Sequence, residues 1–413
     1  MFPTISPLSC LPADGFAGTL VGRVWMPKSS ARSHEGPCVV ILRQEGVFDL
    51  SSYWPTMSDL LEEADPAASA LQAKGDHIGS VEMLLQQTLN QNQNQNQNQA
   101  QAQAQAHFLA PCDLQVIKAA GVTFAASLVE RVIEEQAKGS PLLAVQIRAQ
   151  VMQILGGSLA DIVPGSLKAQ ELKKLLITQG LWSQYLEVGI GADAEVFTKA
   201  PILSAVGIGA DVGIHPMSEW NNPEPEIVLA VDSHGRIKGA TLGNDVNLRD
   251  VEGRSALLLG KAKDNNGSCA IGPFLRLFDG TYNLEAVRNC VVKLEVDGED
   301  GFVMRGESSM SKISRDPLEL AWQTMGECHQ YPDGFMLFLG TMFAPVQDRG
   351  LVGSGFTHHI GDSVRITTEK LGTLINTVKH CDQIKPWTFG VRDLFRNLTE
   401  RNLLNKASGA QKI

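Results

Sequence analysis

The sequence predicts an α+β fold in which a β-rich domain with a rolled sheet follows a small N-terminal α/β unit. Two observations indicate this class. Between residues 127 and 179, apolar residues recur at helical spacing, and Gly and Pro separate the helical segments. After Trp182, short apolar runs bounded by Gly, Pro, Asn and Asp predominate, which is typical of strands. Many short strands with few helices between them favour a rolled sheet.

The composition divides the chain into four segments. Residues 1–85 form the N-terminal unit. Residues 86–108 contain repeated NQ and AQ dipeptides, whose side chains cannot build a core, so we expect a disordered or weakly structured linker there. Residues 109–400 form the main, catalytic domain, and residues 401–413 form a flexible tail.

Hydrophobic spacing and turn residues locate the elements in chain order. The predicted helices are Met57–Glu63, Ser127–Ala137, Leu142–Leu155, Leu167–Gln179 and Arg254–Lys261. The predicted strands are Thr19–Trp25, Cys38–Leu42, Glu195–Thr198, Ile227–Val231, Ile237–Leu242, Val291–Val296, Phe335–Met342, Ser363–Thr367 and Gly372–Val378.

Composition also narrows the class of partner. The chain has 413 residues, of which 43% are hydrophobic and 19% are charged, as in a globular protein. A net charge of -10 argues against nucleic acid or an anionic membrane as the main partner. The seven cysteines are scattered and form no C-x-x-C pair, and no segment has membrane-spanning length. We therefore expect reduced thiols and a cytoplasmic location.

The strongest functional signal is a pair of acidic residues two positions apart. Glu224 and Glu226 flank Pro225, and this spacing puts both carboxylates on one face of an extended strand. Proline has no N–H for a sheet ladder, so we expect a strand start or edge there. A two-residue turn at His234–Gly235 would bring Asp245 directly opposite Glu224.

Three converging carboxylates repel one another unless a cation lies between them. Because all three ligands are hard oxygens, the sequence predicts Mg²⁺, with Mn²⁺ as the alternative, at Glu224, Glu226 and Asp245. Acidic pairs also occur at strand ends without any metal. The absence of Lys and Arg between Asn221 and Asp232 favours the metal interpretation.

These motifs together resemble the fumarylacetoacetate hydrolase family, whose catalytic domain holds a divalent metal with Glu-x-Glu and a later Asp. The resemblance covers roughly residues 111 to 386. Beyond the acidic trio, it rests on the Lys-containing segment Ala262–Pro273, the Gly-Thr loop Gly340–Pro345 and the closing strand Gly372–Val378. Tyr185–Lys199 and Gly243–Asn266 resemble in particular the branch that dehydrates 2-keto-3-deoxy pentonates.

One departure from the family pattern affects the expected chemistry. Hydrolases of the family carry Asn-Tyr-x-x-His-x-x-Glu, in which His and Glu activate water. Here Ser127 occupies the His position, and Glu130 keeps the Glu position. A serine cannot act as a general base near neutral pH, so hydrolysis by activated water is disfavoured.

The resemblance implies roles for several residues, each with a structural alternative. Lys263, partly buried beside a metal, would have a depressed pKa and would transfer a proton at C3 or stabilise an enolate; otherwise it is a solvated lysine at a helix end. Glu195 would give a proton to the leaving hydroxyl, or is an exposed strand residue. Glu130 is the third catalytic candidate, or a charge on a helix surface. Thr341 would hold the substrate carboxylate, or is a threonine at a strand end.

Further substrate contacts are expected from Ser127 and Lys199. Lys199 and Arg254 could bind an oxygen of a sugar acid, although either could instead be a structural ion-pair partner. His358–His359 lies in a polar, Gly-rich loop, where we expect exposure to solvent.

The implied activity is dehydration of 2-keto-3-deoxy-D-pentonate to 2,5-dioxopentanoate through an enolate, in the oxidative breakdown of xylose or arabinose. The protein would then be a Mg²⁺-dependent hydro-lyase that assembles as a homo-oligomer, a dimer or tetramer, like its relatives. Two alternatives remain open: a C–C hydrolase or decarboxylase of a diketo acid on the same metal site, and a binding protein that has lost its chemistry.

Overall fold

The computed structural model describes residues 6–30, 32–94, 105–155, 159, 162–178, 180, 182–343, 345, 347–349 and 355–404. These residues contain both helices and strands, as the α+β prediction requires. The helices are α1 Met57–Leu61, α2 Pro66–Gln72, α3 Val81–Asn94, α4 Ala125–Gln136, α5 Pro141–Leu155, α6 Leu167–Thr178, α7 Gln184–Ile190, α8 Arg249–Glu252, α9 Leu259–Lys263, α10 Leu284–Arg288, α11 Pro317–Thr324 and α12 Val391–Glu400.

The strands fall into two sheets and one short pair. They are β1 Leu20–Met26, β2 Gly36–Arg43, β3 Gly46–Asp49, β4 Asp76–Gly79, β5 His107–Leu109, β6 Val116–Gly121, β7 Glu195–Ala200, β8 Asp211–Ile214, β9 Asn221–Asn222, β10 Pro225–Val231, β11 Ile237–Asp245, β12 Asn247–Leu248, β13 Cys269–Leu277, β14 Val291–Asp297, β15 Val303–Ser309, β16 Phe335–Phe338, β17 Ser363–Thr368 and β18 Gly372–His380.

The larger sheet runs in the order β4-β3-β2-β1-β13-β11-β10-β16-β6-β7, with β5 paired to β1, and the smaller in the order β15-β14-β17-β18-β8. The main hydrophobic core draws on both sheets, for example through Phe274 of β13 and Leu374 of β18. Helices α4 to α7 pack into a separate hydrophobic cluster that includes Val132 and Leu186. The α+β prediction is confirmed.

The N-terminal segment is joined to the main domain by strand pairing. Strand β1 pairs with β13 through Leu20 and Val21, so residues 20–79 continue the larger sheet. The segment boundaries at residues 85, 108 and 400 stay predictions. Within the low-complexity tract, the prediction of disorder is wrong for residues 86–94, because these residues continue α3. Residues 95–104 lie outside the described residues. The first turns of α3 are anchored by buried Val81, Leu84 and Leu85, and the good helix propensity of Gln helps to continue the helix, although Asn is less favourable.

Most predicted elements of the main domain occur within a few residues of their expected bounds. The helix predicted at Arg254–Lys261 is wrong, because Ser255 caps a 3-10 turn at Ala256–Leu258 and α9 begins only at Leu259. Strand β16 ends at Phe338 and not at Met342, because Gly340 has a φ of +87° and turns the chain.

The β10–β11 hairpin has the predicted register but a different turn. Pro225 begins β10, as expected, although β10 is a central strand of the sheet. Val231 pairs with Ile237, and a bulge next to Ala230 then restores the predicted pairing, including Pro225 with Asn244. The two-residue turn is therefore wrong, whereas the predicted opposition of Glu224 and Asp245 is confirmed by the hydrogen bond from Asp245 N–H to the Glu224 carbonyl, 3.0 Å.

All seven cysteines are free, as the sequence predicts. Among the described helices, none combines the length and apolar character that a bilayer crossing requires.

A buried ion pair ties the N-terminal turn to the central sheet. Arg276 of β13 has no exposed surface, and its guanidinium donates to both carboxylate oxygens of Asp14 at 2.8 and 2.9 Å. This contact lowers the pKa of Asp14 to about 2. We predict that Asp14→Asn lowers the free energy of unfolding by roughly 1–3 kcal/mol at neutral pH, because it leaves Arg276 buried without its counter-charge.

The pH dependence distinguishes this ion pair from a general loss of packing. Since the folded-state pKa is depressed, the Asp14 carboxylate stabilises the fold above its unfolded pKa and loses this effect as the pH falls towards 2. Urea unfolding should therefore show the difference between wild type and Asp14→Asn narrowing as the pH is lowered from about 5 to about 3. The exposed Asp76→Asn is the control and should match wild type. A pH-independent difference would contradict the assignment.

Candidate metal centre and active site

Three buried carboxylates meet at one end of the β10–β11 hairpin. Glu224, Glu226 and Asp245 are 6%, 3% and 2% exposed, and one oxygen from each lies within 4.8 Å of the others. The strand alternation brings the two glutamates to one face, and the hairpin register adds Asp245. The structure thus brings together the predicted metal ligands.

The Gly-Thr loop closes over this cluster. Gly340 N–H donates to Glu226 Oε2 at 2.6 Å. A side chain at Gly340 would collide with Thr123, since its Cβ would lie 2.1 Å from the Thr123 hydroxyl. Thr341 follows with 8% exposure, and its Oγ1 accepts the N–H of Phe343 at 3.1 Å. Thr341 is therefore next to the cluster, as the prediction of a carboxylate-binding loop requires.

Two lysines approach the carboxylates from other elements. Lys263, at the end of α9, places Nζ 2.5 Å from Glu224 Oε2 and 3.1 Å from Asp245 Oδ2. Lys199 of β7 places Nζ 2.7 Å from Asp245 Oδ1. The stretch from Asn221 to Asp232 contains no Lys or Arg, but the fold brings Lys199 and Lys263 to the carboxylates from distant segments.

The lysines lie beside Asp245 and Glu224, whereas the negative charge of Glu226 is less well compensated. Burial and the neighbouring carboxylates Asp245 and Glu224 raise the pKa of Glu226 well above its usual range. In contrast, burial at Asp245 is outweighed by Lys199 and Lys263, which hold the pKa of that carboxyl below its usual value. The repulsion felt by Glu226 is what a further cation among the three oxygens would relieve.

The donor set fits a hard divalent cation. Three carboxylates supply oxygen ligands, and Glu224 can share its oxygens because each carries two lone pairs. Both Glu224 oxygens already accept from Arg131 and Lys263, so these cations orient the ligand in the way that outer-shell groups do. Glu224, Glu226 and Asp245 would hold the ion, which is suited to polarising a keto oxygen of a bound substrate.

The depressed pKa predicted for Lys263 is wrong for this arrangement of charges. Burial does act to lower the pKa of Lys263, but Asp245 and Glu224 attract its ammonium group and raise the pKa overall. Lys263 is therefore an ammonium cation here, able to stabilise negative charge.

Glu195 is a carboxyl group with an unusual proton affinity. It begins β7 opposite Gly121, where a Cβ would lie 2.1 Å from Glu195 Oε2, so the absence of a side chain at residue 121 makes room for it. Burial and the negative charge of Glu252 raise the pKa of Glu195 to about 7. The charges of Lys263 and Glu224 also act on this carboxyl, so it lies within electrostatic range of the same cluster. Such a group can carry a proton at neutral pH.

Two of the predicted contacts are contradicted by their surroundings. Lys199 has no exposed surface, and besides Asp245 its Nζ donates to the carbonyls of Val246 and Lys263 at 3.1 and 2.5 Å. Its ammonium group forms an ion pair with Asp245 in the interior of the protein, so it is not available to bind a substrate. Glu130 is paired through one oxygen with Arg148 and through the other with Arg249, so it is not available as a catalytic acid.

The predictions for the remaining residues have mixed outcomes. Ser127 is half-buried in the first turn of α4, and its hydroxyl donates to the Phe124 carbonyl at 2.9 Å; its contact with substrate stays a prediction. Arg254 is exposed. The exposure predicted for His358 is wrong, because its Nδ1 lies 3.0 Å from Asp362 and its ring is buried, whereas His359 is exposed.

Sequence reasoning missed an arginine that links the metal ligands to α4. Arg131 contacts Glu224 at 2.5 Å, Glu134 at 2.6 Å and Glu252 at 2.8 Å. Glu134 in turn accepts from Arg249 at 2.7 Å. Burial raises the pKa of Glu252 despite the opposing charge of Arg131. An Arg beside the Glu of the family motif was the available signal, but two of its partners, Glu224 and Glu252, are far away in sequence.

The comparisons with known proteins agree with this geometry. Residues 197–379 match the family model described as fumarylacetoacetate (FAA) hydrolase C-terminal. A 2-dehydro-3-deoxy-D-arabinonate dehydratase of Saccharolobus solfataricus is 34% identical over 185 residues, 45% of this chain and 58% of the relative. A probable 2-keto-3-deoxyxylonate dehydratase of Haloferax volcanii is 30% identical over 194 residues, 47% of this chain and 63% of the relative. The chain thus spans about three fifths of the length of these relatives.

A solved structure extends the likeness beyond this segment. It is a 2-keto-3-deoxy-D-arabinonate dehydratase complexed with magnesium and 2,5-dioxopentanoate, with a TM-score of 0.57 and 22% identity. The superposition covers 87% of this chain and 99% of that one. At this identity the likeness concerns the fold.

Metal affinity should depend on Glu226. We predict that Glu226→Gln weakens Mg²⁺ or Mn²⁺ binding, measured by titration calorimetry, by at least about 10–100-fold, because it removes one of three anionic ligands. The control is Glu62→Gln, in a second acidic group with Asp232 and His234. That group is already neutralised by Arg236 and Lys238, which lie 2.6 and 3.3 Å from Asp232, so affinity should not change. Equal affinity in both variants would exclude Glu226 as a ligand.

Proposed function

We propose that this chain, whose residues 197–379 match the fumarylacetoacetate hydrolase family model, is a Mg²⁺-dependent dehydratase of 2-keto-3-deoxy-D-pentonates. The product is 2,5-dioxopentanoate, formed in oxidative pentose breakdown. The observation that carries the proposal is the cluster of Glu224, Glu226 and Asp245 with Lys263 Nζ at 2.5 Å from Glu224. The names of the two relatives and of the magnesium and product complex support the choice of substrate.

The reaction requires loss of a C3 proton and of the C4 hydroxyl. A divalent cation on the three carboxylates supplies polarisation of the 2-keto group, which acidifies the C3 protons. Lys263 stabilises the negative charge that develops on the substrate, because its ammonium lies beside the same carboxylates. Thr341 and the backbone of its loop hold the substrate carboxylate.

Glu195 provides the proton that the C4 hydroxyl needs to leave as water. A base takes the C3 proton, and the C3–H electrons form the C3–C4 double bond as the C4–O bond breaks, so one water is lost. Removal of a C5 proton and return of a proton to C3 then give an enol, and proton uptake at C4 with loss of the proton of the C5 hydroxyl gives the aldehyde. A carboxyl with a pKa of about 7 is suited to such transfers near neutral pH.

Hydrolysis of a diketo acid is the less favoured alternative. It requires a base for water near Ser127, yet the Ser127 hydroxyl donates to a backbone carbonyl and Glu130 is held by two arginines. No His-Glu dyad occurs at this position of the chain.

The proposal includes a cytoplasmic location and assembly with further copies of the chain. The free state of all seven cysteines supports the first. The second is supported by large apolar side chains exposed on α5 and α6, including Leu142 at 70% and Leu167 at 77%.

Turnover of the proposed substrate tests the activity, and Lys263 tests the site. We predict that the wild-type protein with Mg²⁺ converts 2-keto-3-deoxy-D-pentonate to 2,5-dioxopentanoate, detected by coupled oxidation of the aldehyde. Lys263→Met should lower kcat by about 10²–10⁴-fold because it removes the cation beside the substrate. Mg²⁺ should still bind. An acid product with a new carboxylate would indicate hydrolysis, and full turnover in Lys263→Met would remove this residue from the mechanism.

The role of Glu195 predicts a pH dependence with a defined sign. As a general acid with a pKa near 7, Glu195 is protonated below this pH and ionised above it. We expect kcat/KM to fall as the pH rises between about 7 and 9, and Glu195→Gln to lose most activity. Glu319→Gln, on the partly exposed face of α11, is the control and should keep the wild-type profile. A flat profile in the wild type would exclude Glu195 as the acid.

A further inference from the structure

Two buried asparagines face each other two rungs beyond the carboxylates. Asn222 of β9 pairs with Asn247 of β12, and this register continues that of the β10–β11 hairpin without a shift. In an antiparallel pair, alternate rungs present their side chains on the same face. The two asparagines therefore lie on the face that carries Glu224 and Asp245.

Three of the four polar side-chain atoms of this rung lack hydrogen-bond partners within the described residues. Asn247 has no exposed surface, and neither its Oδ1 nor its Nδ2 makes a hydrogen bond there. Asn222 is 3% exposed; its Nδ2 donates to the Pro223 carbonyl at 2.9 Å, but its Oδ1 accepts nothing. A buried polar group without a partner costs about 1–3 kcal/mol, so three such atoms on one rung indicate a missing ligand.

The chemistry of the rung selects a hydroxyl group. Two acceptor oxygens and one N–H donor carry no net charge, so they favour neither an anion nor an ammonium group. A hydroxyl both donates one hydrogen bond and accepts others, which matches this set. Adjacent same-face rungs are separated by about 6–7 Å, which is the span from the keto oxygen to the far end of a five-carbon acid.

We propose that Asn247 and Asn222 bind the C5 hydroxyl of the substrate and so select 2-oxo acids that carry a hydroxyl at their far end. This proposal rests on the proposed function, which places the carboxylate and the keto group of the substrate at the metal ligands. It adds a specificity determinant at the opposite end of the substrate, where Asn247 is the principal contact.

A pair of unreactive ligands tests this assignment. 5-Hydroxy-2-oxopentanoate lacks the C4 hydroxyl that leaves, and it differs from 2-oxopentanoate by the C5 hydroxyl alone. With the Mg²⁺-loaded protein, titration calorimetry should show wild type preferring the hydroxylated ligand by about 5–50-fold. Asn247→Ala should erase this preference while affinity for 2-oxopentanoate and for Mg²⁺ stays within about twofold. Asn222→Ala should reduce the preference and serves if Asn247→Ala does not fold.

A matched asparagine separates recognition from a structural role. Asn376 is 2% exposed, and its amide donates to the carbonyls of Gly207 and Ala210, both at 3.0 Å. Asn376→Ala should lower the melting temperature and keep the ligand preference. Asn247→Ala should keep the melting temperature and lose the ligand preference.

Three results would overturn the proposal: no preference in wild type, equal weakening of both ligands in Asn247→Ala, or a fall in melting temperature like that of Asn376→Ala with the preference retained. Absence of turnover in wild type would reject the dehydration proposal, and this binding comparison would still be decided by its own measurements.

Discussion

Repulsion among three buried carboxylates is the constraint on which the rest of the site depends. Glu224, Glu226 and Asp245 carry up to three negative charges within one small volume, and burial removes the water that would screen them. Lys199 and Lys263 compensate Asp245, and Arg131 compensates Glu224. Among the described residues, Glu226 accepts a hydrogen bond from one backbone N–H alone, so burial and the neighbouring carboxylates raise its pKa, and a further cation fits beside it.

The fold supplies the compensating groups from segments far apart in the chain. Arg131 and Glu224 are separated by 93 positions, and Gly340 and Glu226 by 114. Helix α4, strand β7, helix α9 and the Gly340 loop all converge on the β10–β11 hairpin. Metal binding and proper packing of these elements are therefore coupled, because a cation that binds the folded state alone also stabilises it.

The sequence predicted what local geometry determines. Strand alternation and hairpin pairing depend on neighbouring residues, so the juxtaposition of Glu224 with Asp245 followed from spacing, although the bulge at Ala230 could not be foreseen. Lys263 and Glu195 were found only through the family resemblance. For Lys199 the substrate contact is wrong and the structural alternative, an ion-pair partner, is confirmed; its burial in β7 depends on long-range packing, which polar composition does not reveal.

The central claim is that one divalent cation binds the three carboxylates and leaves positions open for a 2-oxo acid. Water-proton relaxation of the Mn²⁺-loaded protein tests this most directly, because it reports the number of sites and the water on the bound ion. The account predicts one tight site whose relaxation enhancement falls when pyruvate displaces water. An enhancement that pyruvate leaves unchanged, or the absence of a tight site, would contradict it.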